Sequence, residues 1–442
     1  MQHKIALGKL LSVAATIALL ALPLAASDQI PAPPQDHPIA LVGGTIHTVS
    51  GPVIGRGTVL FEAGKITAVG IRVNLPPGTE EIDLTGKHVY PGLIAAHTIM
   101  GLIEIGAVRA TRDDVEVGEI KPNVRAEAAF NPDSEILPVT RANGITLALS
   151  VPGGGVISGT SGLMMLDGWT WEEMTLKAPV GLHVHWPRMN LNPSPRAPSP
   201  EEQKQAREKH IKLLRDSFSE ARAYLKAKEA ESQGGVPYHA SDLRWEAMIP
   251  VLRGEIPIMM HANEIRQIQA AVDWASQEGL RMVLVGGQDA WRVAELLKEK
   301  DIAVIIDGIH VTPMRRWEDY DTPFTNALKL YQAGVKFCIS DGGQAAYARN
   351  LPYHAATAAA YGLPKDEALK AVTLYPAQIL GVADQVGSIE EGKDATLIIT
   401  DGDPLEIMTQ VERQFIQGRD IDLSSRHTQL YTKYRTKYEQ LK

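Results

Sequence analysis

Histidine and aspartate side chains stand where predicted strands end, and these residue types bind metals and move protons. His97 follows the apolar run Leu93–Ala96. A second His two positions later would share its face, because strand side chains alternate sides. Paired imidazoles of this kind suit zinc, iron or nickel. Ile99 occupies the second position and has no lone pair to donate, so the sequence predicts half of a metal-binding pair.

Five side chains form the candidate metal set. At the ends of predicted strands lie His97, His183, His185, His261 and Asp341. A catalytic zinc needs three protein ligands and one open position, so His97, His261 and Asp341 suffice for one ion. His183 and His185 each offer a replacement imidazole, with a hydrogen-bonded structural histidine as the alternative. Asp341 has its own alternative, as a turn residue that caps the next helix.

Three residues outside this set are candidates for substrate binding. His239 and Arg244 precede the strand that carries His261, and His310 follows a later predicted strand. Loop residues at strand ends often contact ligands, because loops carry function on a rigid scaffold. For Arg244 the alternative is an ion pair with Asp242 or Glu246 on the surface.

Alternating strands and helices must position these residues. The predicted strands are Ile145–Val151, Val180–Trp186, Ile256–His261, Arg281–Val285, Ile302–Ile306 and Val335–Ser340. The predicted helices between and after them are Ile265–Glu278, Asp289–Lys300, Thr325–Gln332 and Pro364–Leu374. Such alternation is typical of parallel strands with crossover helices. We therefore expect an α/β fold with a (β/α)8 TIM-like barrel over residues 91–382, whose chemistry lies at the carboxyl ends of the strands.

Short β-like runs at both ends of the chain predict a second, smaller domain. Residues 38–90 and 383–420 are expected to form one composite β-sandwich, with Gly43-Gly44 as one of its turns. Residues 187–235 form an insertion, a Pro-rich loop followed by the charged helix Glu201–Glu231. We expect this helix to dock on the barrel surface, with a lid or an oligomer contact as the alternative. The tail, residues 421–442, is expected to be a peripheral helix or disordered.

Composition describes an ordinary soluble protein. The chain has 442 residues, 44% hydrophobic and 22% charged, with a net charge of −8 that argues against nucleic-acid or anionic-membrane partners. Residues 1–27 are typical of a cleavable signal peptide, with Lys4 and Lys9 before an apolar run; a membrane anchor is the alternative. No Cys lies near the cleavage site, which argues against a lipoprotein. We expect a periplasmic or secreted protein with no membrane attachment after cleavage, and Cys338 alone permits no internal disulfide.

Four motifs, in order along the chain, resemble the metal-dependent amidohydrolase superfamily, near its imidazolonepropionase and secreted dipeptidase branches. The opening strand is Ala40-Leu41-Val42-Gly43-Gly44-Thr45-Ile46, and Val89-Tyr90-Pro91-Gly92-Leu93-Ile94-Ala95-Ala96-His97 leads into the first metal motif. Residues 367–377 resemble the final helix, and residues 387–395 resemble the return to the β-domain. The resemblance covers nearly the whole mature chain.

The resemblance implies hydrolysis of a C–N bond by a metal-activated water. The metal would lower the pKa of water, and Asp341, as the catalytic residue, would take its proton and pass it to the leaving nitrogen. His97, His261 and Asp341 match the family's ligands, whereas Ile99 and Gly286 stand where it offers histidines. No Lys or Glu occupies a convincing bridging position.

The expected function is therefore that of a periplasmic hydrolase of amide, peptide-like or cyclic amide bonds. Its substrate would be a small molecule or a short peptide, and a homo-oligomer is allowed. Its cofactor would be at most one divalent metal, zinc first among the candidates, with no metal as the alternative. The other reading is a non-catalytic protein of this fold, retained for ligand binding or a structural role.

Overall fold

A computed structural model describes residues 29–234 and 237–441, so the predicted leader, residues 1–27, lies outside the described residues. Its strands are β1 (Ile39–Ile46), β2 (Ile54–Glu62), β3 (Lys65–Gly70), β4 (Glu80–Asp83), β5 (His88–Pro91), β6 (Leu93–Thr98), β7 (Ile145–Ser150), β8 (Ile157–Thr160), β9 (Gly162–Met165), β10 (Thr175–Lys177), β11 (Leu182–His185), β12 (Ile258–Ala262), β13 (Met282–Gly286), β14 (Ala303–Asp307), β15 (Phe337–Ser340), β16 (Leu397–Thr400), β17 (Val411–Ile416) and β18 (Arg419–Asp420). Its helices are α1 (Ile136–Arg141), α2 (Trp171–Met174), α3 (Pro200–Gln233), α4 (Leu243–Leu252), α5 (Ile265–Gln277), α6 (Ala294–Glu299), α7 (Thr322–Ala333), α8 (Leu351–Ala360), α9 (Lys365–Lys370), α10 (Leu374–Ile379) and α11 (Arg426–Glu439).

Strands from both ends of the chain share one eight-stranded sheet. Its order is β18-β17-β16-β5-β1-β2-β3, with β4 paired to β1. Apolar side chains fill its core, where the rings of Phe61 and Phe415 meet edge to face at 5.1 Å. The turn predicted at Gly43-Gly44 is wrong: β1 continues through both glycines, and the pairing with β2 shifts there instead. Gly43 has a φ of +80°, a conformation that lets a strand bulge without ending.

Two mixed sheets that contain parallel strands, and the helices around them, form the rest of the fold, which is α/β. Strands β11 to β15 are parallel neighbours in a six-stranded sheet that ends in the antiparallel β8. A four-stranded sheet, β10-β9-β7-β6, pairs β6 and β7 in parallel. A parallel bridge between Thr98 and Gly343 links the end of β6 to the segment after β15. The carboxyl ends of β6 and β15 therefore lie side by side.

The predicted strands of this region are present within two residues of their expected ends. Their apolar runs are buried on both faces, as parallel strands covered by helices require. Strands β8, β9 and β10 were not predicted, because Gly159 and Gly162 interrupt the apolar pattern in this segment.

The insertion contains the longest helix described. Helix α3 has 34 residues and begins at a capping box between Ser199 and Glu202. It buries Leu214, Phe218 and Ala221, so one stripe of the predicted surface helix packs into the fold. Helix α11, in the tail, buries none of its residues. Within the described part of the chain, no helix has the length and apolar character that crossing a bilayer requires.

Candidate active site

Three strand ends bring His97, Asp307 and Asp341 together. His97 lies in β6, Asp307 ends β14, and Asp341 directly follows β15. The Nδ1 atom of His97 is 2.9 Å from Oδ1 of Asp307. Ser340 Oγ donates a hydrogen bond to the carbonyl of His97 at 2.9 Å and lies 3.3 Å from Oδ1 of Asp341. Short strand-end contacts therefore hold one imidazole between two carboxylates.

Gly343 allows the segment after β15 to pass close to the His97 ring. A Cβ atom at position 343 would lie 3.0 Å from Cε1 of His97, and the residue has a φ of +75°. Both observations favour glycine, because a side chain would crowd the imidazole and strain the backbone. The Asp-Gly-Gly segment thus serves to bring Asp341 beside His97, and no following helix is capped by the Asp341 side chain in the hydrogen bonds described.

Three further histidines pack beside this group. Nδ1 of His183 and Nε2 of His261 are 2.8 Å apart and share a hydrogen bond. The ring of His185 stacks on that of His261 with 4.2 Å between centroids, and the ring of His97 lies 5.4 Å from His261. Strands β11 and β12 set this arrangement, because His185 and His261 are register partners. We call His97, His183, His185 and His261 the histidine cluster.

A second set of contacts fixes His185. Its Nε2 atom lies 3.0 Å from Oγ of Ser158, and its carbonyl accepts a 2.7 Å hydrogen bond from Nε2 of His210. His210 belongs to α3, so the inserted helix contacts the rim of the site directly. Lys121 is buried nearby and donates to the carbonyl of Gly153 at 3.2 Å. The Gly-rich segment of residues 152–155 therefore accepts a hydrogen bond from a lysine of another segment.

The pKa values of the two carboxyl groups, Asp341 and Asp307, are shifted in opposite directions. Burial raises the pKa of Asp341 to about 7, and its Oδ2 atom is buried without a hydrogen-bond partner among the described residues. Burial also acts to raise the pKa of Asp307, but the charge and hydrogen bond of His97 outweigh it, so that pKa is lowered. At neutral pH Asp307 is therefore ionised, whereas Asp341 is close to half protonated.

The pKa values of the four histidines are also shifted in opposite directions. Burial acts to lower the pKa of His97, but Asp307, supported by Asp341, outweighs it and raises that pKa. Burial lowers the pKa of His183 and His261 well below the usual value, and lowers that of His185 to about 4. His97 is thus the imidazole that favours a proton, and the other three favour the neutral form.

The predicted metal set does not converge on one point. Within residues 29–234 and 237–441, no three His, Cys, Asp or Glu side chains form a group that could hold a metal ion. His261 directs Nε2 to His183, and Ile99 packs against the main hydrophobic core. At Gly286 a Cβ atom would lie 2.5 Å from Oδ1 of Asn263. The side chains present therefore do not fit the predicted ion as they are arranged.

Of the three predicted substrate residues, Arg244 and His239 lie away from the histidine cluster, and His310 lies closer to it. Arg244 forms the alternative ion pair, with Asp242 at 2.7 Å, and is half exposed. His239 lies against the ring of Tyr224 in α3, at 5.5 Å. Among the described contacts, neither residue reaches the histidine cluster. His310 lies closer to the site, three residues after Asp307, and its Nε2 atom is 2.7 Å from Oγ1 of Thr357.

Asp307 is the functional residue that the sequence interpretation missed. The predicted strand stopped at Ile306, one residue before it. The signal was present, because Asp307-Gly308 follows an apolar run just as Asp341-Gly342 does. A search for aspartates followed by glycine at strand ends would have found both.

A cavity of about 890 Å³ lies away from these residues. It is lined by the amino ends of β13, β14 and β15, including Met282, Ala303 and Phe337. Asp307 and Asp341 stand at the opposite, carboxyl ends of β14 and β15. The cavity is therefore separate from the candidate site.

Known proteins share this architecture. The amidohydrolase family domain matches residues 172–418. The chain is 24% identical over 397 residues to the amidohydrolase tasK of Hapsidospora irregularis, a match of 82% of this chain that spans only 39% of that relative. It is 24% identical over 374 residues to an imidazolonepropionase of Mesorhizobium japonicum, covering 79% of this chain and 87% of the relative.

A solved structure agrees with these matches. An amidohydrolase from Thermotoga maritima MSB8 superposes with a TM-score of 0.78 at 29% identity, covering 87% of this chain and 99% of that one. The similarity indicates a TIM barrel with a β domain. The chain belongs to the amidohydrolase family, whose members are hydrolases acting on C–N bonds.

Proposed function

We propose that this protein hydrolyses a C–N bond in a small molecule or short peptide at the site formed by His97, Asp307 and Asp341. The observation that carries the proposal is the Asp341 carboxyl. It is buried at a strand end beside His97, its pKa is raised to about 7, and one of its oxygens has no protein partner in the described chain. A carboxyl with these properties is suited to proton transfer at neutral pH.

In the proposed reaction Asp341 acts as base and then as acid. Its ionised form takes a proton from the attacking water, and the protonated form returns that proton to the leaving nitrogen. A pKa near the working pH serves both steps, because each protonation state is well populated. Oδ2 is the atom we assign to the transfer, since Oδ1 is shared with Ser340.

His97 is proposed to stabilise the negative charge that develops on the carbonyl oxygen. Asp307 engages Nδ1, which orients the ring and favours its protonated form. The His97 side chain keeps 12% of its surface exposed, so a substrate can reach the imidazole. A fixed donor aimed at a developing oxyanion lowers the reaction barrier more than the same donor in water.

Family members generally use divalent metals. The sequence predicts at most one such ion here, with no metal as the alternative, and the arrangement of His183 and His261 favours the alternative. We therefore assign the proton transfers to this chain's own residues. The absence of a second histidine at position 99 supports the same assignment.

The proposed substrate class is taken from the substrates of the relatives. Cyclic amides, simple amides and short peptides are the candidates, with His310 as a substrate contact. On the basis of the predicted leader, we also propose that the reaction takes place in the periplasm or outside the cell. The net charge of −8 argues against nucleic-acid substrates. A homo-oligomer, a closed (β/α)8 barrel and a β-sandwich domain are further parts of the proposal.

Binding without turnover is the second candidate function. The packing of Ile99 into the core and the closure at Gly286 favour it, because both remove ligand positions that hydrolytic relatives would need. The buried atoms His183 Nε2 and Asp341 Oδ2, which lack partners within the described residues, would then hydrogen-bond to a retained ligand.

Turnover and binding can be measured on the same protein. The mature chain would be incubated with a panel of cyclic amides, N-acyl amino acids and dipeptides, with products followed by mass spectrometry and binding by thermal shift. Hydrolysis that Asp341→Asn abolishes and Asp301→Asn retains supports the proposal, because Asp301 pairs with Lys336 on the surface. Binding without products supports the second function, and neither binding nor products contradicts both.

A further inference from the structure

We infer that the hydrogen bond between His183 and His261 takes the place of a metal ion, so that the histidine cluster is a metal-independent site. The inference concerns what holds the site together. It underlies the metal-free form of the proposed reaction, whereas hydrolysis as such is tested separately by the substrate panel.

The spacing of the two rings carries the argument. Two imidazole nitrogens bound to one tetrahedral zinc, each about 2.0–2.1 Å from the ion, lie roughly 3.3 Å apart. Nδ1 of His183 and Nε2 of His261 are 2.8 Å apart, which is a hydrogen-bond distance. One ring donates its N–H to the lone pair of the other. The nitrogen of His261 that faces the site is consequently engaged by another protein atom.

The pair is held rigidly from several sides. His183 is completely buried, and His261 is covered by the stacked ring of His185. Ser158 and His210 fix His185 in turn, through its Nε2 atom and its carbonyl. The ring that covers His261 is therefore itself held in place by contacts from β8 and α3.

The remaining ligand positions are closed by packing as well as by residue type. Ile99 packs against the core, and its N–H donates to the carbonyl of Gly343 at 3.3 Å. Gly286 has a φ of +105°, and Asn263 stands where its side chain would begin. Neither position would accept a histidine without movement of its neighbours. Positions 99 and 286 therefore offer no replacement for the nitrogen of His261 that His183 engages.

The experiment is a zinc titration of the folded chain with a competing chelator, paired with metal analysis of the protein as purified. The variants are His183→Leu, which frees His261, and His310→Leu as a matched histidine deletion outside the cluster. We expect substoichiometric zinc in the wild type and in His310→Leu. In His183→Leu we expect an affinity gain of roughly 10- to 100-fold, the range over which neighbouring residues tune metal sites.

One equivalent of tightly bound zinc in the wild type would overturn the inference, as would a folded His183→Leu variant with no gain. If that variant does not fold, nitrogen-15 NMR of the wild-type histidines decides instead. An imidazole N–H shared by His183 and His261 that persists in excess zinc supports the inference. Its loss in a saturable zinc titration contradicts it.

Discussion

Nδ1 of His97 and Oδ1 of Asp307 lie 2.9 Å apart, although 210 residues separate them in the chain. The contact joins β6 to β14 at the carboxyl ends of both strands. It leaves His97 as the one imidazole of the histidine cluster whose pKa is raised. The three others favour the neutral form, with the rings of His183 and His185 packed against His261, so the cluster combines one imidazole that favours its protonated form with three that favour the neutral form.

Replacing Asp307 should therefore act through His97. Asp307→Asn keeps the shape of the side chain and removes its charge, so we expect the pKa of His97 to fall. Where hydrolysis is measurable, turnover should decrease by roughly 10²-fold, a typical contribution of one positioned proton donor. NMR titration of His97 reports the first effect independently of activity. An unchanged His97 pKa would show that Asp307 does not position this imidazole.

Because His183, His185 and His261 favour the neutral form, we expect the folded protein to lose stability in acid. Their folded pKa values lie below the unfolded value of 6.5, so the unfolded chain binds protons first as the pH falls. Stability should decrease from pH 6.5 toward pH 4, with His185 alone contributing roughly 3 kcal/mol. Urea unfolding at a series of pH values measures this slope. His185→Gln should flatten it, and an equally steep slope in that variant would contradict the assignment.

Asp341 has the opposite effect on stability. Its folded pKa of about 7 exceeds the usual 3.8, so its contribution is greatest in acid and is lost as the pH rises through 7. Asp341→Asn should therefore be more stable than the wild type at pH 8, by roughly 2–4 kcal/mol, while the two converge near pH 4. Denaturant unfolding at both pH values tests this. Equal stability of the wild type and Asp341→Asn at pH 8 would mean that burial of the ionised carboxylate does not destabilise the fold.

A buried ion pair away from the site should matter for folding alone. Asp167 accepts hydrogen bonds from Arg141 and Arg419, each at 3.0 Å, and is almost fully buried. Asp167→Asn removes the buried negative charge that Arg141 and Arg419 share, so unfolding should become easier by roughly 3 kcal/mol. The exposed pair of Asp301 and Lys336 is the control, where Asp301→Asn should change stability by less than about 1 kcal/mol. Similar losses in both variants would contradict this difference.

Much of the fold could be predicted from the sequence because its strands are continuous apolar runs. The predicted runs that end at Val151, Val285 and Ser340 were found within two residues of their bounds. Gly43-Gly44 was misread, since a glycine pair permits a turn and a strand irregularity equally. Strands β8 to β10 were missed because small residues weaken their pattern.

The site was predictable as a set of residues but not as a geometry. The rings of His97, His183 and His185 lie near that of His261, but within the described residues no three of the predicted side chains form a metal-binding group. Sequence spacing cannot reveal that His183 bonds to His261, because this depends on the separation of two strands in space. Arg244 pairs with Asp242, two positions away, and its role in substrate binding stays a prediction.

The pH dependence of turnover on a responsive C–N substrate tests the central claim most directly. The account predicts a rate that rises with pH through an apparent pKa near 7, as Asp341 ionises, and that is abolished in Asp341→Asn. A profile without a limb near pH 7, or an Asp341→Asn variant that retains the wild-type rate, would contradict the role assigned to this carboxyl.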